Sequence, residues 1–396
     1  MKRQIYAGFV IVGFAATATY ASDFSITGNL SQTLSGSDNF FLNNNPRGPT
    51  YDSISALSLN ALARTATTEY HLDGHFSYFD YFGPGAADTT ITNGKPMGAH
   101  FYIDHRSDPL TRWTIGTSWE RVDVASTQFA QTGQATGTGF SDTYTANAGV
   151  TRDLSRLDTL SLSATASSVS FSAPGQTPYD DLNTSASWKH RLSPLLVWNN
   201  SIYLDLFQNK DAAKTQRITT RATTALEATL TPRLSAHASF GWIFANSYTT
   251  VDVSVPLPPP GTVLPSLFPT GSGNGPLVDV GVNYQFTKTL SGALSVSEAV
   301  TPTILGQLQQ SKSIQGGLTQ QVNGRSTVNF TSQYSQLFDG VSNSNFFTAG
   351  LGYTYRFTKD IRGTASYTFV TRADQTGDAR SNTFLLSLSK DFVALP

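Results

Sequence analysis

The chain contains no cysteine. That excludes a disulfide framework, a zinc–thiolate site and a thiol nucleophile. Charge is also scarce: Asp, Glu, Lys and Arg make up 13% of the 396 residues, against about 25% in soluble globular proteins. A soluble all-β protein needs charge to solubilise its outside and to blunt its sheet edges. A barrel in lipid needs neither. The net charge is −1, so no basic field suggests nucleic acid as a partner. Long hydrophobic runs are missing too, and nothing after the N-terminus approaches the ~18 apolar residues of a spanning helix. No G-x-S-x-G elbow, H-E-x-x-H helix or phosphate loop is present to support an enzyme.

What is present begins with Lys2 and Arg3, an apolar run over residues 5–16, and Thr19-Tyr20-Ala21. A charged region, a hydrophobic core and a small-residue cleavage site form the layout of a secretory signal peptide. Residues 1–21 are therefore expected to direct export and 22–396 to form the mature protein. Within the latter, 346–369 reads as two alternating segments around Thr358-Lys359-Asp360. Phe347, Ala349, Leu351, Tyr353, Tyr355 and Phe357 share one face, and Thr348, Gly350, Gly352, Thr354 and Arg356 the other. Period-two alternation over about ten residues gives a strand with one apolar face, long enough to cross a bilayer at a tilt.

Segments of this kind recur along the whole chain. They predict an all-β fold, a transmembrane antiparallel up-and-down barrel of about 18 strands. The count is 16 if the sparse first segment, 24–34, is a periplasmic tail or a plug rather than wall. Short polar turns, such as Leu154-Ser155-Arg156, Thr231-Pro232-Arg233 and Asn323-Gly324-Arg325, alternate with Gly/Pro/Asn-rich loops at 83–96, 123–141 and 249–276. Barrels of the outer membrane place tight turns in the periplasm and long loops outside, which puts both termini in the periplasm. The proline-rich loop 249–276 either folds over the mouth as a constriction or stands free outside.

Signal peptide, amphipathic strands, asymmetric turns and a closing strand carrying Phe384, Leu386, Leu388, Lys390 and Phe392 together resemble a Gram-negative outer-membrane β-barrel of the porin-like kind. The closing strand departs from the usual assembly signal, because four residues follow the final aromatic. A weaker likeness, in low charge and Ser/Thr-rich repertoire, is to barrels associated with exopolysaccharide export. The resemblance implies outer-membrane lipid, lipopolysaccharide and the outer-membrane assembly machinery as partners, with periplasmic partners in the export case. It implies passive passage of small hydrophilic or saccharide-like solutes. Alternatives are polysaccharide export, an outer-membrane hydrolase and a structural or adhesive barrel with a filled lumen.

The alternation assigns faces. Trp113, Trp119, Trp188, Trp198 and Trp242 fall on the apolar phase near strand ends, as a girdle at the lipid–water interfaces requires. The opposite phase is the lumen. It carries Glu69, His71, Asp73, His75, His100, Asp104, Arg106, Arg112 and Glu120 early, then Arg217, Arg221 and Glu227. From Gly281 onward hydroxyl, amide and glycine dominate. The histidine–acid group reads first as luminal ion pairs. A metal held by His71, His75 and His100, or an Asp–His catalytic pair, are lesser readings. No cofactor and no catalytic residue is expected.

Overall fold

The computed structural model describes residues 23–88, 93–124, 139–172, 176–210, 214–254, 263–302, 308–338, 343–375 and 377–395. The expected signal peptide lies outside them. Strands follow one another as β1 (Asp23–Ser37), β2 (Thr50–Arg64), β3 (Thr68–Phe82), the two-residue β4 (Asn93–Gly94), β5 (Met97–Asp108) and β6 (Thr111–Asp123). Then come β7 (Phe140–Asp153), β8 (Asp158–Phe171), β9 (Tyr179–Ser193), β10 (Leu196–Asn209), β11 (Gln216–Thr231) and β12 (Leu234–Ser254). The last are β13 (Val263–Gln285), β14 (Leu290–Pro302), β15 (Leu308–Asn323), β16 (Ser326–Phe338), β17 (Asn343–Arg356), β18 (Ile361–Asp374) and β19 (Gly377–Leu395). Each long strand pairs antiparallel with its neighbours in sequence, and β1 pairs with β19. With β4 only a bridge beside β3, the result is a closed barrel of 18 strands. Closure leaves no edge through the wall. The sparse first segment is a wall strand, paired on both sides.

The short turns share one chemistry. Asp108, Ser155, Ser193, Thr231, Thr287, Asn323 and Thr358 each accept, through a side-chain oxygen, the backbone N–H two residues on. Thr65 accepts that of Thr68. Such Asx and Ser/Thr turns let the chain reverse without leaving its donors unpaired. All eight lie at the barrel end that holds the beginning of β1 and the end of β19.

At the other end the strands run further than alternation predicts. The segment 249–276 is not a loop: β12 extends to Ser254 and β13 begins at Val263, and the two pair throughout. β14 joins β13 only from Val278, and β11 joins β12 only up to Tyr248. The ribbon therefore stands past its neighbours with a free edge along β13. A proline removes a donor that a free edge does not need, which accounts for Pro265 and Pro269 within a strand. The residues at its tip, 255–262, lie outside the described ones. Likewise only two residues separate β18 from β19, so tight connections occur at both ends of the barrel.

One phase runs unbroken around the ring. Large apolar side chains on the other, among them Leu59, Phe76, Ile202, Phe240, Leu294, Phe330, Leu351 and Leu386, are exposed. A continuous exposed apolar sheath is stable against hydrocarbon rather than water. At the closing seam Phe392 lies opposite Gly28, and its ring occupies the space a Cβ there would fill. An aromatic covering a glycine across a strand pair adds packing where the glycine offers none. Among the described residues no helix is long and apolar enough to cross a membrane.

Candidate functional site: the barrel lumen

All twelve residues expected in the lumen lie on the phase opposite the exposed sheath, and several of them meet in pairs. Arg64 Nε meets Glu69 at 3.2 Å, and Glu69 meets His71 Nε2 at 3.4 Å. Arg112 Nε donates to Asp104 at 2.9 Å, where Thr114 also donates. His75 and His100 both reach Glu120, and Asp73 accepts from Asn60. Arg106 lies exposed opposite Arg112. These pairs fall on neighbouring strands because β2, β3, β5 and β6 are successive staves. His71 stands apart from the other two histidines, stacked on Tyr102 with centroids 4.2 Å apart.

A second cluster occupies β9 to β11. The Arg217 guanidinium sits 4.5 Å over Phe207, and that of Arg221 sits 4.1 Å over Tyr203. Cation–π stacking of this kind holds a guanidinium flat against the wall. Arg217 is 2% exposed. Asp181 lies opposite Phe207, which lies opposite Arg217, with Asp205 on the same phase. Glu227 is exposed and faces His237 across the strand pair. From β13 to β18 the phase is carried by Asn283, Ser295, Gln315, Gln333, Thr354 and Thr364, with Ser297 bonded to Ser313 and Thr354 to Thr364.

Sequence reasoning missed an element that packs on the inner wall at the end opposite the short turns. Residues 38–49 fold against the luminal phase. Leu42 is fully buried, Phe41 and Asn39 nearly so, and Phe40 and Phe41 pack on Tyr81 at 5.2 and 6.0 Å. Asn44 accepts from Arg372 of β18 at 2.9 Å, and Asn39 bonds both ways with Asn43. Gly85 N donates to Pro49 O, tying in the next loop. The signal was Phe40-Phe41-Leu42, three large apolar residues inside an otherwise polar loop, which water would not hold exposed.

All five tryptophans lie on the outward phase. Trp188 and Trp198 pack edge to face at 5.4 Å near the short-turn end. Trp188 donates to Asp158 and Trp198 to Thr224. At the other end Trp119 donates to Asp142, which also pairs with Arg121. Trp113 and Trp242 are exposed.

No family model matches the chain, and no curated protein does. Solved structures share the fold. OccK2 (OpdF) of Pseudomonas aeruginosa, in complex with glucuronate, has a TM-score of 0.55 at 9% identity over 95% of this chain and 99% of its own. OpdK of the same organism, with vanillate, scores 0.54 at 10% identity over 94% and 99%. Acinetobacter baumannii OccAB4 scores 0.53 at 11% identity over 94% and 99%. The fold is thus that of Gram-negative outer-membrane barrels.

Proposed function

We propose that this protein is an outer-membrane channel for passive passage of small hydrophilic or saccharide-like solutes. The observation that carries the reading is the composition of the luminal phase. On β13 to β18 it presents mostly hydroxyls, amides and glycine backbone, which hydrate a channel and exchange hydrogen bonds with neutral solutes. Its charges are mixed and largely paired within the wall, whereas an ion-selective pore needs a ring dominated by one sign. The glucuronate and vanillate bound to two barrels of the same fold are small polar carboxylates, which supports a small hydrophilic cargo and leaves its neutrality to rest on the luminal phase of this chain. The exposed apolar sheath supports residence in the outer membrane.

Refolded protein in a planar bilayer should conduct, with a small reversal potential across a salt gradient, and vesicles containing it should swell in neutral sugars. Strong selectivity for one ion sign would refute the neutral-solute reading. A closed barrel without conductance would refute the channel and favour gated export or a filled structural barrel.

A further inference from the structure

We propose that His75, His100 and Glu120 form a binding site for a divalent transition-metal ion on the lumen wall. The three residues come from β3, β5 and β6. His75 Nε2 lies 3.0 Å from one Glu120 oxygen and His100 Nε2 lies 3.1 Å from the other. One ligand atom from each falls within 4.8 Å of the others. A tetrahedral ion with bonds of about 2.0–2.1 Å places its ligand atoms about 3.3 Å apart. Small turns of two imidazole rings, soft about their terminal torsion, close the set. Each ring would carry its proton on Nδ1 and offer the Nε2 lone pair.

Two further observations point to a ligand rather than to an ordinary ion pair. The first is Gly98, which lies opposite both His75 and Glu120. A Cβ at that position would stand 2.2 Å from a Glu120 oxygen and 2.6 Å from the His75 ring. The missing side chain leaves the room in which Glu120 and His75 meet. The second is charge. Glu69 and Asp104 each meet an arginine, but among the described residues neither Glu120 nor the adjacent Asp73 meets Lys or Arg. Two carboxylates with only imidazole and amide partners form a spot of negative potential that a cation would neutralise. Two imidazoles and one carboxylate suit zinc, copper or nickel over magnesium or calcium, which prefer oxygen. His75, His100 and Glu120 are all partly exposed, so the remaining coordination position opens on the lumen. Such a site exchanges its ion, unlike a closed structural site. The proposal does not rest on the channel reading, since ion binding requires no conduction.

The test uses full-length mature protein, refolded in detergent without metal. Calorimetric titration with Zn²⁺ should show one equivalent bound. His75→Ala, His100→Ala and Glu120→Gln should each weaken it by roughly tenfold or more, and Gly98→Ala should weaken it with all three ligands in place. His71→Ala should leave it unchanged. Cu²⁺ bound to the unaltered protein should give an electron paramagnetic resonance spectrum with two imidazole nitrogens, a readout that needs no variant to fold. Absence of binding, binding retained in His75→Ala/His100→Ala, or a spectrum without paired nitrogen coupling would overturn the assignment.

Discussion

Leu351→Arg and Gly350→Arg differ by one position in β17 and should have opposite consequences. Leu351 lies deep within the strand, exposed on the sheath, with Phe330 and Tyr367 opposite on either side. An arginine there must enter hydrocarbon, at about 2–4 kcal/mol near the midplane. Every 1.4 kcal/mol is tenfold, so the folding equilibrium in vesicles should fall roughly 30- to 700-fold. Leu351→Ala is the control: it loses apolar contact, at about 0.8 kcal/mol per CH₂, without introducing charge. Gly350 faces the lumen between Thr331 and Thr368. A Cβ there meets the Thr331 hydroxyl at 2.9 Å, which a turn of that side chain relieves, and the guanidinium then lies in water. Gly350→Arg should fold nearly as the parent does and reduce conductance. The readouts are urea titration in lipid vesicles and heat-modifiable migration. Equal folding defects in the two variants would mean that the phases are exchanged, because a one-residue slip exchanges every face.

The absence of cysteine makes topology directly testable. Lys214→Cys should react with a membrane-impermeant maleimide on intact cells and Lys359→Cys should not; the reverse pattern would invert the barrel. Arg372→Ala removes the donor to Asn44 and should loosen residues 38–49, raising single-channel conductance; an unchanged value would show that this loop does not limit the aperture. Phe392→Ala uncovers Gly28 at the seam and should cost about 1.5–3 kcal/mol, measured as a lower urea midpoint in vesicles. A neutral result would remove the seam ring from the account of closure.

Eighteen strands were legible because lipid and lumen impose opposite chemistry on successive residues, as at Gly350 and Leu351. The short turns were legible because Thr231, Asn323 and Thr358 are residues whose side chains bond their own backbone. Where strands leave the membrane, that contrast ends. Thr249 to Ser254 and the proline-bearing start of β13 pair only with each other, beyond the neighbouring strands, and their sequence carries no alternation to mark them as strand. The ligand set of the proposed metal site shows a different barrier. Sequence spacing grouped His71 with His75 and His100, but cross-strand neighbours depend on stagger between β3, β5 and β6. That stagger stacks His71 on Tyr102 and brings Glu120 across Gly98 to the other two. The packing of residues 38–49 was closed to local reasoning because Arg372 and Asn382 lie at the far end of the chain.

That last arrangement orders events in time. Asp38 accepts from both the backbone and side-chain nitrogens of Asn382, 344 residues away, and Asn44 holds Arg372 across 328. Contacts of such sequence separation form only once the loop-closure entropy between their ends has been met. The bend after β1 is therefore anchored only when β18 and β19 stand beside β1. Until then its apolar tip has walls on one side only. Residues 38–49 thus reach their final packing in the same step that joins the two ends of the barrel.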